Sequence, residues 1–207
     1  MSTRLTVTTA LAAFAPACGD STDNTIIISD PVGETIDAGH ALGASVAAQA
    51  SGELSLDDYD TLIGKSAGII AAIHSGEVEA SLFAAPLVLG PDTFELANDE
   101  IISHEDAHAR LDDVIRSYGV PYLPSQAQVR LSSEASAAVS ALRVTPPADL
   151  DFAYVTLQVT VHAEAQLVLD ELASLVGPGD MGNYIVDTRV MVNDHLARAS
   201  SMLDTFY

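Results

Sequence analysis

The sequence predicts an all-α fold, an antiparallel four-helix bundle with a short extra helix in its middle connection. Three observations predict it. Apolar residues recur at spacings of three and four along four long stretches. Glycine and proline punctuate the junctions between them, at Gly90-Pro91, Gly119-Val120-Pro121, Pro146-Pro147 and Gly177-Pro178-Gly179. No alternating run is long enough to build a sheet; the β-branched stretch TLQVTVH (156–162) lies inside a helical stripe.

The first 17 residues read as a lipoprotein-type signal peptide. MSTRLTVTTALAAFAPAC carries one basic residue, Arg4, then an apolar stretch from Leu5 to Ala15 and small residues leading to Cys18, the only cysteine of the chain. Residues 18–54 read as a tether and lead-in, partly helical at most, because Gly39 and Gly43 weaken the helical pattern between Gly33 and Ala50. The bundle domain is expected over 55–207.

Within that domain, the first helix opens at Ser55 and its acids and runs to Pro86, with Ile63, Ala67, Ile70, His74, Glu77, Ser81 and Ala84 on one stripe. The second carries Phe94, Ala97, Ile101, His104, His108, Leu111 and Ile115 and stops near Gly119. A short Ala-rich helix is expected over 132–142. The third begins near Asp149 with Phe152, Val155, Val159, His162, Gln166, Leu169, Ala173 and Val176. The fourth, roughly 181–205, carries Met181, Tyr184, Thr188, Met191, His195, Ala199, Met202 and Phe206. Short turns at two junctions imply antiparallel neighbours.

Composition excludes one class of partner. Eight basic residues against 29 acidic ones give a formal charge of −21, a field that repels DNA, RNA and anionic headgroups. With no tryptophan and 5% aromatic residues, the core must be built from Ala, Val, Leu and Ile.

Helical rise converts position into depth at about 1.5 Å per residue. If the first and third turns of an up-down-up-down path lie at one end, His104, His162 and His195 all fall roughly 20 Å from that end. His74 and Glu77 fall roughly 16 and 12 Å from it, and His108 lies one turn from His104. Imidazoles and a carboxylate converging in a bundle suit zinc, iron, copper or nickel. They equally suit a buried hydrogen-bond network that fixes helix register, with Glu77, Gln158, Gln166 or Thr188 as partners. The chain has no Glu-x-x-His, although Glu100 stands four residues before His104. No catalytic constellation emerges: there is no Gly-x-Ser-x-Gly elbow after a strand, and GPGDMG lacks the order and lysine of a nucleotide loop.

The stretches GIIAAIHSGEVEAS, ISHEDAHARL, LDFAYVTLQVTVHAEAQLVLDEL and VNDHLARASSML together resemble the bacterial domain-of-unknown-function family 4142 over roughly residues 60–204. Its members are often labelled predicted outer membrane proteins, and the resemblance implies a ferritin-like bundle without naming an activity. By that resemblance Glu77 matches the glutamate of a Gly-Glu-Ile/Val element. His104 matches the histidine of a Met-Val-x-Asp-His element in which Ser103 replaces the acid, and His108 stands where Asn is usual. Asp151 and Tyr154 match a Phe-Asp-x-x-Tyr element with Leu150 in place of Phe. His162 and His195 match the histidines of the last two helices, and His74 stands where Asn is frequent.

The expected function is that of a bacterial cell-envelope lipoprotein with a non-enzymatic bundle domain. It would be held by acylated Cys18 on the periplasmic face of the outer membrane, where an envelope protein could be its partner. No cofactor is expected on that reading. The alternative is a metal-binding or redox bundle in which Glu77, His104, His162 and His195 form the core cluster, with His74, His108, Asp151 and Tyr154 as further members and zinc or a transition metal as the ion. Intact-mass measurement after expression in a bacterium is expected to show loss of residues 1–17 and added acyl mass on Cys18. Equal recovery of C18A in the membrane fraction contradicts the anchor.

Overall fold

The computed structural model describes residues 31–55 and 57–207, and every regular element among them is helical. Six α-helices follow in order: α1 (Pro31–Leu54), α2 (Tyr59–Ala84), α3 (Pro91–Tyr118), α4 (Gln126–Val144), α5 (Leu150–Val176) and α6 (Asp180–Leu203). Local chemistry sets their ends. Asp58 accepts the Thr61 backbone N–H at 3.0 Å, so α2 starts at Tyr59 rather than at Ser55. Ser125 caps α4 in the same way through Gln128, and Gly119 closes α3 in the left-handed conformation at φ 68°. Cys18 and the expected signal peptide lie outside the described residues.

Successive helices alternate in direction. One end collects the starts of α2, α4 and α6: Glu53 at the close of α1 pairs with Lys65 of α2 at 3.6 Å and accepts the Gln126 N–H at 2.9 Å, while Tyr118 at the close of α3 accepts the Met181 N–H at 3.3 Å. At the other end Asp151 accepts the N–H groups of Leu89 and Gly90 at 2.9 and 2.6 Å, tying the start of α5 to the α2–α3 turn. There too Phe152 of α5 meets Phe206 just beyond α6, ring centroids 5.6 Å apart.

This path corrects three expectations. Residues 126–144 form a full-length helix along α2, not a short one at 132–142, and it returns the chain across the bundle before α5 begins. The α2–α3 and α5–α6 turns therefore lie at opposite ends, not the same end. The lead-in is also part of the fold, since α1 lies along α5 and touches α4. The result is two four-helix groupings, α2-α3-α6-α5 and α2-α4-α1-α5, that share α2 and α5. Sharing explains why α2 and α5 are apolar around most of their circumference: both are covered on several sides.

Gly39 and Gly43 are the reason α1 can settle on α5. A Cβ on Gly39 would stand 2.7 Å from the Ala163 Cβ, and one on Gly43 would stand 2.5 Å from the Glu164 carbonyl oxygen. The glycines that weaken the helical pattern thus supply the close backbone approach.

The core falls into two apolar clusters. Ile63, Ile70, Leu111, Leu169, Met181 and Ile185 belong to the cluster at the α2-start end; Leu96, Leu142, Leu150, Tyr154, Val159 and Leu203 belong to the other. Each fully buried Leu or Ile contributes about 1.5 to 3 kcal/mol. Between the clusters lies a buried polar layer that includes His74, Glu77, Glu100, His104, Gln158, His162 and Thr188.

The α1–α5 contact makes a paired prediction. At an open helical site Gly to Ala stabilises by about 1 kcal/mol, and Gly52, with nothing near its Cβ position, is such a site in the same helix. G52A is expected to raise the urea midpoint, whereas G43A is expected to lower stability by about 1 to 3 kcal/mol through overpacking. Equal shifts in the two variants contradict the close approach.

Candidate metal centre

Glu100 and His104 stand four residues apart on α3, one turn apart on the same face. His162 reaches the same point from α5 and His195 from α6. His104 Nε2 lies 3.2 Å, His162 Nε2 3.3 Å and His195 Nδ1 2.8 Å from the Glu100 Oε2. The three rings pack edge to face or tilted, with centroids 5.3 to 5.7 Å apart. Glu100 and His104 have no solvent exposure, His162 has almost none, and the His195 side chain is 12% exposed, which makes it the member of the cluster nearest solvent.

Hydrogen bonds around the cluster determine which lone pairs face inward. His162 Nδ1 lies 2.9 Å from the Gln158 carbonyl, which can only accept, so this nitrogen carries the proton and neutral His162 turns a bare Nε2 toward Glu100. His104 Nδ1 lies 2.9 Å from His74 Nδ1, and His74 Nε2 lies 2.7 Å from the Tyr184 hydroxyl, which donates to the Ala107 carbonyl at 2.9 Å. The three nitrogens that face Glu100, and both Glu100 oxygens, lack an aligned hydrogen-bond partner despite their closeness.

The donor set fits a metal ion. One atom from each of Glu100, His104, His162 and His195 lies within 4.8 Å of the others. A tetrahedral ion with bonds of about 2.0 to 2.2 Å holds its ligand atoms roughly 3.4 Å apart; the His104 and His162 distances to the carboxylate lie near that value, and His195 at 2.8 Å would move outward by about 0.6 Å. Three imidazoles and a carboxylate are ligands for late first-row dications rather than for calcium or magnesium, which take oxygen.

Electrostatics reinforce the pairing. Burial alone would raise the Glu100 pKa, but the imidazoles of His162, His104 and His195 outweigh it and hold the carboxyl well below its ordinary value. Burial opposes charge on His162, but Glu100 and Glu77 overcome it and raise its pKa to about 9. His74 is pushed well below the ordinary range by burial and by the neighbouring His104 and His108. Burial raises the pKa of Glu77.

Of the residues singled out in the sequence, His104, His162 and His195 come together. Glu77 is displaced from the expected role: its Oε1 is 3.8 Å from His162 Nδ1, on the far side of that ring, and Glu100 is the carboxylate at the centre. The expected stripe of α3 runs through Phe94 and Ile101. Phe94 is half exposed and Ile101 only partly buried, whereas Leu96 and Glu100 are buried. The signal in the sequence is the spacing of Leu96, Glu100, His104, Ala107 and Leu111, all three or four apart, which places Glu100 on the face of His104. His74 joins through its bond to His104. His108 stacks beside His74 and Tyr122, with centroids 6.1 and 6.5 Å away, but is outside the four-atom cluster. Asp151 caps the α2–α3 turn, and the Tyr154 hydroxyl pairs with Ser81 Oγ at 2.8 Å, so neither supplies a ligand atom.

His104, His162 and His195 share one level on the observed path as well, because they sit near the middle of their helices. Reversing a helix about its midpoint leaves a central residue at the same level. Comparison with protein-family models, with curated proteins and with solved structures gave no match.

A pH prediction follows for the metal-free protein. A histidine whose pKa rises from 6.5 to about 9 on folding stabilises fully below pH 6.5, and that contribution is lost as pH climbs toward 9. Glu164, raised to about 8 by burial and by Glu134, acts in the same direction between its ordinary 4.5 and 8. In an E164Q background the thermal midpoint is therefore expected still to fall from pH 6.5 to 9, and adding H162Q to flatten the decline. A flat profile in E164Q alone contradicts the His162–Glu100 pairing.

Proposed function

We propose that this protein binds one transition-metal dication of the zinc or iron class inside a ferritin-like helical bundle, which is lipid-anchored in the bacterial cell envelope. The observation that carries the metal reading is the convergence of three imidazole nitrogens on a fully buried carboxylate in a geometry unaligned for hydrogen bonds. When His162 is neutral, the tautomer set by Gln158 aims a lone pair at Glu100, and the site is completed by either a proton or an ion between them.

Three further features support the reading. Alternating helices joined through α4, which acts as one long crossover between two antiparallel pairs, have the connectivity that ferritin-like bundles use, with ligands projecting from facing helices. The resemblance to family 4142 selects His104, His162 and His195 on independent grounds. The formal charge of −21 draws cations toward the surface. The envelope assignment rests on the Ala15-Pro16-Ala17-Cys18 junction. Among the described residues no helix is long and apolar enough to cross a membrane. Binding of the ion, rather than a reaction at it, is the function proposed; two surface clefts, beside Phe83 and Leu142 and beside Arg110 and Asp187, are lined by none of the four ligands.

Protein purified without an affinity tag and incubated with zinc or ferrous ion is expected to carry one equivalent of metal per chain. The metal should be lost in E100A and H162A, with helical content retained in both. Metal at a hundred times its dissociation constant would add about 2.7 kcal/mol of stability, read as a higher melting temperature that a chelator reverses. A wild-type chain that takes up no stoichiometric metal, with a melting temperature indifferent to chelator, contradicts the proposal.

A further inference from the structure

We propose that His74 and Tyr184 are positioning residues for this centre: they hold the His104 proton on Nδ1 and so leave its Nε2 free for the ion. The inference rests on the metal-binding reading above and extends it to two residues that touch no ion.

The direction of each bond follows from what its atoms can do. The Ala107 carbonyl can only accept, so the single Tyr184 hydroxyl proton is committed to it at 2.9 Å. Tyr184 must then accept from His74 Nε2, 2.7 Å away, which places the His74 proton on that nitrogen. Buried and neutral, His74 keeps a bare Nδ1, and that atom accepts from His104 Nδ1 at 2.9 Å. The His104 proton is then fixed on the side away from Glu100, and its Nε2 lone pair faces the other ligands. His162 obtains the same result from a single backbone carbonyl, whereas His104 depends on a chain of two side chains ending at a carbonyl of its own helix.

Metal-ligating histidines characteristically donate their second N–H to an outer partner, and loss of that partner costs 10- to 100-fold in affinity. Here the partner is itself an imidazole, which can accept or donate at either nitrogen. Its polarity is therefore not intrinsic and must come from Tyr184. Without the tyrosine oxygen, His74 can move its proton to Nδ1, where it would oppose the His104 N–H. His104 would then shift its own proton to Nε2, the position the ion requires.

The test uses the full chain and zinc as the probe. Y184F and H74L are each expected to weaken zinc binding 10- to 100-fold, measured by chelator competition. H74Q is expected to recover most of that loss, because a carboxamide offers an acceptor to His104 and a donor to Tyr184 without an imidazole. Long-range proton–nitrogen NMR of the metal-free protein at pH 9.5 should show the His104 proton on Nδ1 in wild type and on Nε2 in H74L. The H74Q and H74L pair keeps the comparison should Y184F not fold. Unchanged affinity in folded H74L, equal affinities in H74Q and H74L, or a proton on His104 Nε2 in wild type overturns the inference. If wild type takes no zinc, the metal reading fails by itself, and the NMR tautomers alone decide for or against the relay.

Discussion

A carboxylate with no exposure to water needs a counter-charge, and the burial of Glu100 is the constraint on which the rest of this structure depends. The effective penalty for burying an ionised group is several kcal/mol, repaid only when partners surround it with good geometry. Three imidazoles from three helices surround Glu100, each within 3.3 Å of one oxygen. Those imidazoles neutralise it only when a proton or a metal ion stands among them. The two apolar clusters on either side of the polar layer hold the three helices that carry these four residues in place.

The outer helices serve the same constraint. A four-helix grouping of α2, α3, α5 and α6 would expose the backs of α2 and α5, which carry Ile69, Ala72, Leu157 and Ala165. Covering those faces with α4 and α1 keeps water from the inner helices that bear His74, Glu77 and His162. On the opposite side the centre lies closer to solvent: His195 is the partly exposed ligand, and the ion pair of Arg198 with Asp99 joins α6 to α3 one turn along from His195 and next to Glu100. The four residues are thus insulated unequally, and the shortest way from the cluster to solvent runs past α6.

Much of this was legible in the sequence because period is a strong signal where one face is apolar. The stripe of Ile63, Ala67, Ile70, His74, Glu77, Ser81 and Ala84 is buried throughout, and the level of His104, His162 and His195 was correct. Three things were hidden, each for a physical reason. Glycine in a helix reads as weakness, so Gly39 and Gly43 concealed α1; only the neighbouring α5 backbone shows that their missing side chains are needed. The direction of α5 depends on the length of α4, and an Ala-Ser-rich segment does not show in its own pattern whether it spans the bundle. Glu100 is visible four residues before His104 but stands among the exposed acids Asp99, Glu105 and Asp106, and its central place shows only when His162 and His195 arrive from other helices.

The central claim is that Glu100, His104, His162 and His195 form one coordination sphere, and the X-ray absorption spectrum of the zinc-loaded protein tests it most directly. The predicted result is a first shell of nitrogen and oxygen at about 2.0 to 2.2 Å with the outer-shell scattering of three imidazoles, reduced by one imidazole in H195A. A shell of oxygen atoms alone, or an imidazole count unchanged in H195A, would contradict it.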